Sequence, residues 1–255
     1  MVEHMVTFFV SWFANPSIMG IVLALIFGSI WLVSYWPPLF QRYWLWAVFF
    51  SSAILSLVAV TFIQIPLQYW SSLLLARFLD NEVLMRWLPL TAVPAVLLSG
   101  LVQEGAKMVP MVVWWWRNDR NIDPRLGLVI GVVAGAGFGV FEAVWAHNNI
   151  FASGWTWEAV QTGGLMALAG FWERFFAVAF HIAVSALVGY GLARGWGWRF
   201  YLIGAFLHSV LNYSAVLLPA GIFTVVYVEI YLMVVAVLVS GVALWLRWKK
   251  PAELA

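Results

Sequence analysis

The sequence predicts an all-α polytopic membrane protein, with about seven transmembrane helices in one bundle. Three observations predict it. Of 255 residues, 64% are hydrophobic and only 9% are charged, with a mean hydropathy of +0.94, which leaves too little charge to cover a soluble fold. Seven apolar stretches are each long enough for the ~30 Å hydrocarbon core, which takes about 20 helical residues. The basic residues fall between those stretches and favour alternate sides, the pattern the positive-inside rule gives a polytopic chain.

The expected spans cover residues 18–36, 43–65, 90–116, 126–147, 164–193, 200–218 and 222–246. Residues 1–15 are expected to form a short interfacial helix. Residues 66–87 carry Arg77, Asp80, Glu82 and Arg86 among apolar neighbours and suggest an amphipathic helix lying on the surface. The 18 Trp and 8 Tyr, many near segment ends, fit two aromatic belts. No linker divides the chain, so residues 1–255 are expected to form a single domain.

Arg42 follows the first span, Arg117, Arg120 and Arg125 the third, Arg194 and Arg199 the fifth, and Arg247, Lys249 and Lys250 the seventh. The N-terminal segment, residues 148–163 and residues 219–221 contain no Lys or Arg. The N-terminus is therefore expected outside and the C-terminus in the cytoplasm. Only the 66–87 loop, with two arginines, runs against the pattern. The N-terminus lacks the basic region of a cleaved signal peptide, so insertion is expected to rely on the spans themselves. Without cysteine there is no disulfide, thiolate metal site or Cys nucleophile. A net charge of +2 with scattered basic residues does not suit nucleic-acid binding.

The chemistry gathers around the fourth span. Gly127, Gly131, Gly135 and Gly139 recur every four residues, a smooth helix stripe against which a neighbour can pack closely. Glu142 ends the stripe on nearly the same face. A carboxylate at that depth is expensive in hydrocarbon and marks a candidate site. Counting the 1.5 Å rise per residue from the cytoplasmic arginines, Glu104, His181 and Asn212 lie about 20 Å up, Glu142 about 25 Å and His208 about 14 Å. Four helices thus carry five polar groups to the middle and outer half of the membrane.

Local spacing supports convergence. Glu104 and Lys107 are i,i+3, His181 and Ser185 are i,i+4, and so are His208 and Asn212; Arg174 lies two turns before His181. Histidine is a metal ligand and an oxyanion donor, and glutamate in apolar surroundings suits general-base work. Two hydrolytic schemes stay open: a glutamate activates water while His and Asn hold the oxyanion, or Glu and His bind a divalent metal that does so. Lys107 is expected to be a counter-ion to Glu104 or Glu142. Glu173 and Arg174 suit an interfacial place as well as the site. His147, beside Asn148 and Asn149, is expected at the interface. Glu229 is expected to pair with a basic residue.

At these positions the sequence resembles the PrsW-type glutamic intramembrane proteases, within the larger group of CAAX prenyl proteases and bacteriocin-processing relatives. Four motifs on separate helices characterise the group: EExxK or EExxxR, GxGFxxxE, a His-containing helix, and HxxxN or HxxxD. Here they are QEGAK (103–107), GAGFGVFE (135–142), RFFAVAFHIAVS (174–185) and HSVLN (208–212). The related YhfC-type metalloproteases share similar motifs. The resemblance implies an endopeptidase acting on a transmembrane or membrane-adjacent protein, in the plasma (cytoplasmic) membrane of a prokaryote. It assigns Glu104 or Glu142 as water-activating base, and His181, His208 and Asn212 as oxyanion or metal-binding groups. Gln103, Lys107, Arg174 and Ser185 are supporting residues. No cofactor is expected in the glutamate scheme; in the metal scheme Glu142, His181 and His208 would hold a divalent ion such as zinc. Gln103 replaces the first acid of the paired motif, which makes a catalytically inactive scaffold the alternative. A proton-coupled transporter lacks support, since no inverted halves or broken helices are evident. A retinal protein is not expected, since residues 222–246 contain no lysine for a Schiff base.

The topology generates the first prediction. Reporter fusions after Gly154 should read outside, and fusions at Ala255 should read cytoplasmic. A cytoplasmic signal at Gly154 would overturn both the span count and the depths.

Overall fold

The computed structural model describes residues 2–249, so Met1, Lys250 and Ala255 lie outside the described residues. Helix α1 (Val2–Ser11) precedes the first span, α2 (Ile18–Tyr35). Helix α3 (Trp44–Ala59) continues through a π-helical turn, Val60–Gln64, into α4 (Ile65–Ala76). Two short helices, α5 (Asn81–Arg86) and α6 (Leu88–Thr91), lead to α7 (Val93–Arg117), and α8 (Pro124–Ala152) follows. After α9 (Trp157–Gly163) and a 3-10 turn come α10 (Ala169–Ala193), α11 (Gly197–Asn212), α12 (Ser214–Leu217) and α13 (Val225–Trp248). Seven stretches are long and apolar enough to cross a membrane, and no strand occurs among the described residues. The protein is an integral membrane helical bundle.

Two expectations change. The second span does not stop at Ile65, because an unbroken helix runs over Trp44–Ala76, 33 residues. Pro66 would normally break it, lacking an N–H and clashing with the preceding turn. It directly follows the π turn, where the Ile65 N–H bonds the Val60 carbonyl five residues back, and that widened turn accommodates the ring. The surface segment is therefore shorter than residues 66–87; it is capped at Asp80, whose side chain accepts the Val83 N–H at 2.8 Å.

His147 is the second change. Helix α8 runs on to Ala152, and His147 is fully buried, its Nδ1 3.2 Å from the Gly20 carbonyl. The next residue, Asn148, accepts the Ser17 N–H at 3.0 Å at the start of α2. Gly20 lets α2 come this close, since a Cβ there would fall 2.8 Å from Asn148 Oδ1. What looks like a polar helix end in sequence is a helix–helix joint. On the opposite flank of α8, Trp12 stacks on Trp145 with centroids 5.2 Å apart and docks α1.

Helices α8 and α10 form the buried centre. The expected glycine stripe is real and faces α10. A Cβ at Gly127 would lie 2.5 Å from the Gly189 carbonyl oxygen, at Gly131 2.0 Å from that of Ser185, and at Gly135 2.2 Å from that of His181. Gly137 faces the other way, where a Cβ would meet the Phe49 carbonyl of α3 at 2.1 Å. Backbones in such contact maximise dispersion, the main attraction left between helices in lipid.

Replacing Gly135 with Leu should separate α8 from α10 and cost about 1–3 kcal/mol or more from overpacking. Thermal unfolding in detergent measures it, and an unchanged midpoint would mean that the close approach contributes nothing.

Candidate active site

Four helices converge on one group of charged side chains. Helix α7 carries Glu104 and Lys107, one turn apart, with 1% and 0% of their surfaces exposed. The Lys107 ammonium is hydrogen-bonded to Glu104 Oε1 and lies 3.2 Å from His181 Nδ1 on α10. On its other side, His181 Nε2 lies 3.1 Å from Glu142 Oε2 on α8. His208 on α11 completes the group, its Nδ1 2.6 Å from Glu104 Oε1. The two imidazole centroids are 5.1 Å apart. The expected role of Lys107 as a counter-ion holds, with Glu104 as its partner.

Donor and acceptor chemistry fixes the protons. An ammonium only donates, so its contact with His181 makes Nδ1 the acceptor and leaves the ring proton on Nε2, which donates to Glu142. His208 donates through Nδ1 to the Glu104 carboxylate. Two Glu–His pairs therefore exist, joined through Lys107. They differ in access: Glu104 is sealed, whereas 20% of the Glu142 side chain is exposed. Phe138, one turn before Glu142, walls the site with its ring 4.6 Å from that of His181 and 5.4 Å from the Lys107 ammonium.

Arg174 belongs to the site. Its Nη1 donates to Glu142 Oε2 at 3.0 Å, and its Nη2 donates to Glu173. Glu173 and Arg174 also line a cavity of about 390 Å³ with Gln64, Ser99, Ala177 and Asn212. Ala177 and Asn212 sit one helical turn from His181 and His208, so their side of the cavity lies one turn from the charged group.

The remaining expected residues are placed less centrally. Asn212 does not touch the Glu–His pairs; its Nδ2 donates to Ser99 Oγ at 3.0 Å, on the cavity wall. Ser185 is buried against the glycine stripe and its hydroxyl has no partner among the described residues. Gln103 turns away from Lys107 and donates to Gln64 Oε1 at 3.0 Å. Glu229 forms no ion pair among the described residues, contrary to expectation, and its Oε2 is buried without a partner. Arg174, the arginine on the facing helix, is already committed to Glu142 and Glu173.

Sequence reasoning missed Gln64. It stood at the expected end of a span, whereas the π turn carries it into the cavity wall. The polar residues Ser52, Ser56, Gln64 and Gln68, spaced by four residues with one step at Val60 skipped, were the available signal.

By residue type the site suits zinc. Glu104, His181 and His208 each offer an atom, all within 4.8 Å of one another, and two histidines with a glutamate form a known zinc set. Glu104, rather than the expected Glu142, is the acid of that trio. By arrangement, however, the residues do not fit a resident metal. The Lys107 ammonium takes the lone pair of His181 Nδ1, Nε2 carries the proton given to Glu142, and Glu104 Oε1 already receives Lys107 and His208.

The sequence model of the PrsW family intramembrane metalloproteases matches residues 41–240. No curated protein and no solved structure matches the chain.

The Gln103 contact generates a prediction. Gln103→Glu would set a carboxylate against Gln64 Oε1 beside buried Glu104, and should destabilise the protein by about 1–3 kcal/mol. An unchanged or raised thermal midpoint would show that the position tolerates the acid.

Proposed function

The chain belongs to the PrsW family of intramembrane metalloproteases, a family of peptide hydrolases, and from that premise we propose that it cleaves a transmembrane or membrane-adjacent protein with a glutamate-activated water. The observation that carries this reading is the pair of buried Glu–His contacts joined through Lys107 beside a polar cavity.

Glu142 is the base. It is the acid with solvent access, and its described hydrogen bonds all go to Oε2, leaving Oε1 free for water. The water loses a proton to Glu142 and attacks the peptide carbonyl carbon, and the proton then passes to the leaving amine. His208, held through Nδ1 by Glu104, is assigned to the oxyanion. Asn212 supplies a further amide N–H from the cavity wall. His181 and Arg174 hold Glu142 in place.

The position of Gln103 supports activity over an inactive scaffold, since its amide bonds Gln64 and lies outside the Glu–Lys–His chain. The loop charges support an N-terminus outside, so that the cavity lies towards the outer half of the bilayer.

Glu142→Gln should keep the fold and lower hydrolysis of membrane-peptide substrates by about 10²–10⁴-fold. Adding His208→Ala should reduce the residual rate little, because groups acting as a unit are non-additive. A chelator should spare activity. Full activity of the Glu142→Gln protein would sink this assignment.

A further inference from the structure

We infer that Lys107 is the built-in cation of the site: its ammonium bonds two of the three groups a divalent metal would need, Glu104 and His181, and the centre takes up zinc only when that ammonium is removed. The inference deepens the proposed hydrolase, resting on Glu104, Glu142, His181 and His208 as its working centre.

The lone pairs of Glu104 Oε1 and His181 Nδ1 are already occupied. A zinc ion would bond Glu104 oxygen and imidazole nitrogen at about 2.0–2.2 Å. Lys107 Nζ already bonds Glu104 Oε1 and lies 3.2 Å from His181 Nδ1. Turning to the other nitrogen of His181 does not help, since Nε2 lies 3.1 Å from Glu142 and carries the proton between them. Lys107 is wholly buried and cannot swing into solvent to make room. Phe138 faces the ammonium from a third side, its ring centroid 5.4 Å away. The site is thus complete around a monovalent cation.

The charge count agrees. The trio offers one carboxylate, Glu104, and Lys107 neutralises it. A dication added beside the ammonium would leave excess positive charge in an apolar enclosure, whereas a dication in place of the ammonium would meet the His181 Nδ1 lone pair and a carboxylate relieved of the lysine, with His208 releasing the Nδ1 proton it now donates to Glu104. Lys107 also orders the pair next door: by taking His181 Nδ1 it keeps the ring proton on Nε2, facing Glu142. It is a positioning residue and does not itself contact the reacting atoms.

The test is metal content of the full chain in detergent, read without substrate. Purified protein dialysed against Zn²⁺ and then washed should retain under about 0.1 zinc per chain, and Lys107→Met should retain about one. Lys107→Arg, which keeps a cation, should stay metal-free, and Lys107→Met with His208→Ala should lose the gained zinc. Co²⁺ in the Lys107→Met protein should give the visible absorption of a tetrahedral ion. If Lys107→Met aggregates, Lys107→Gln is used in its place. One zinc per wild-type chain that His208→Ala removes would overturn the inference, and so would a folded Lys107→Met protein that takes up none. The proposed hydrolase fails separately: a zinc-free wild type that cleaves no membrane peptide sinks the hydrolase and leaves Lys107 as the resident cation.

Discussion

The structure depends on the direct contact of the α8 and α10 backbones. Between helices in lipid there is no hydrophobic gain to draw on, so association rests on dispersion and on hydrogen bonds that lipid cannot replace. Gly127, Gly131 and Gly135 bring α8 onto the carbonyls of Gly189, Ser185 and His181. The last of these contacts decides the chemistry, because it seats the His181 side chain beside Gly139, one turn from Glu142, and lets the two side chains meet. Other close approaches hang from the same rod: α2 over Gly20 and Gly28, and α3 over Gly137. The pairing of α7 with α11 repeats the device, with Gly100 against the Ala205 carbonyl.

Around this frame the buried charges constrain one another. Any of Glu104, Lys107, Glu142 or Arg174 alone would be costly at this depth, and breaking a buried pair by removing one partner costs about 3–5 kcal/mol. They are tolerable as a connected set. Lys107 neutralises the sealed acid, Glu104, while Arg174 holds the more accessible acid, Glu142, together with Glu173. The outcome is a gradient of exposure across a single site, with a sealed ion pair at one end and a partly exposed carboxylate at the other.

The π turn in the second span shows how local backbone irregularity serves the same end. It lets a proline-containing segment stay helical and rotates Gln64 onto the cavity wall, where its amide takes the N–H of Gln103. Both effects come from one extra residue in a turn, and such turns in helices often mark functional positions.

The sequence by itself determined the seven spans, the glycine stripe and the residues that carry charge into the membrane. Each of these is a local property: hydropathy over about 20 residues, a period of four, or an ionisable group where none is cheap. It also singled out Glu104, Lys107, Glu142, His181 and His208, because each is expensive without partners. Only the tertiary structure decided who those partners are. Which acid faces Lys107, which nitrogen of His181 carries the proton, and why Asn212 and Ser185 stand apart all depend on helix rotation and on distances between α7, α8, α10 and α11. His147 and Gln64 changed character for the same reason. Burial and pairing are properties of what a neighbouring helix brings, and a single helix cannot encode the position of its neighbour.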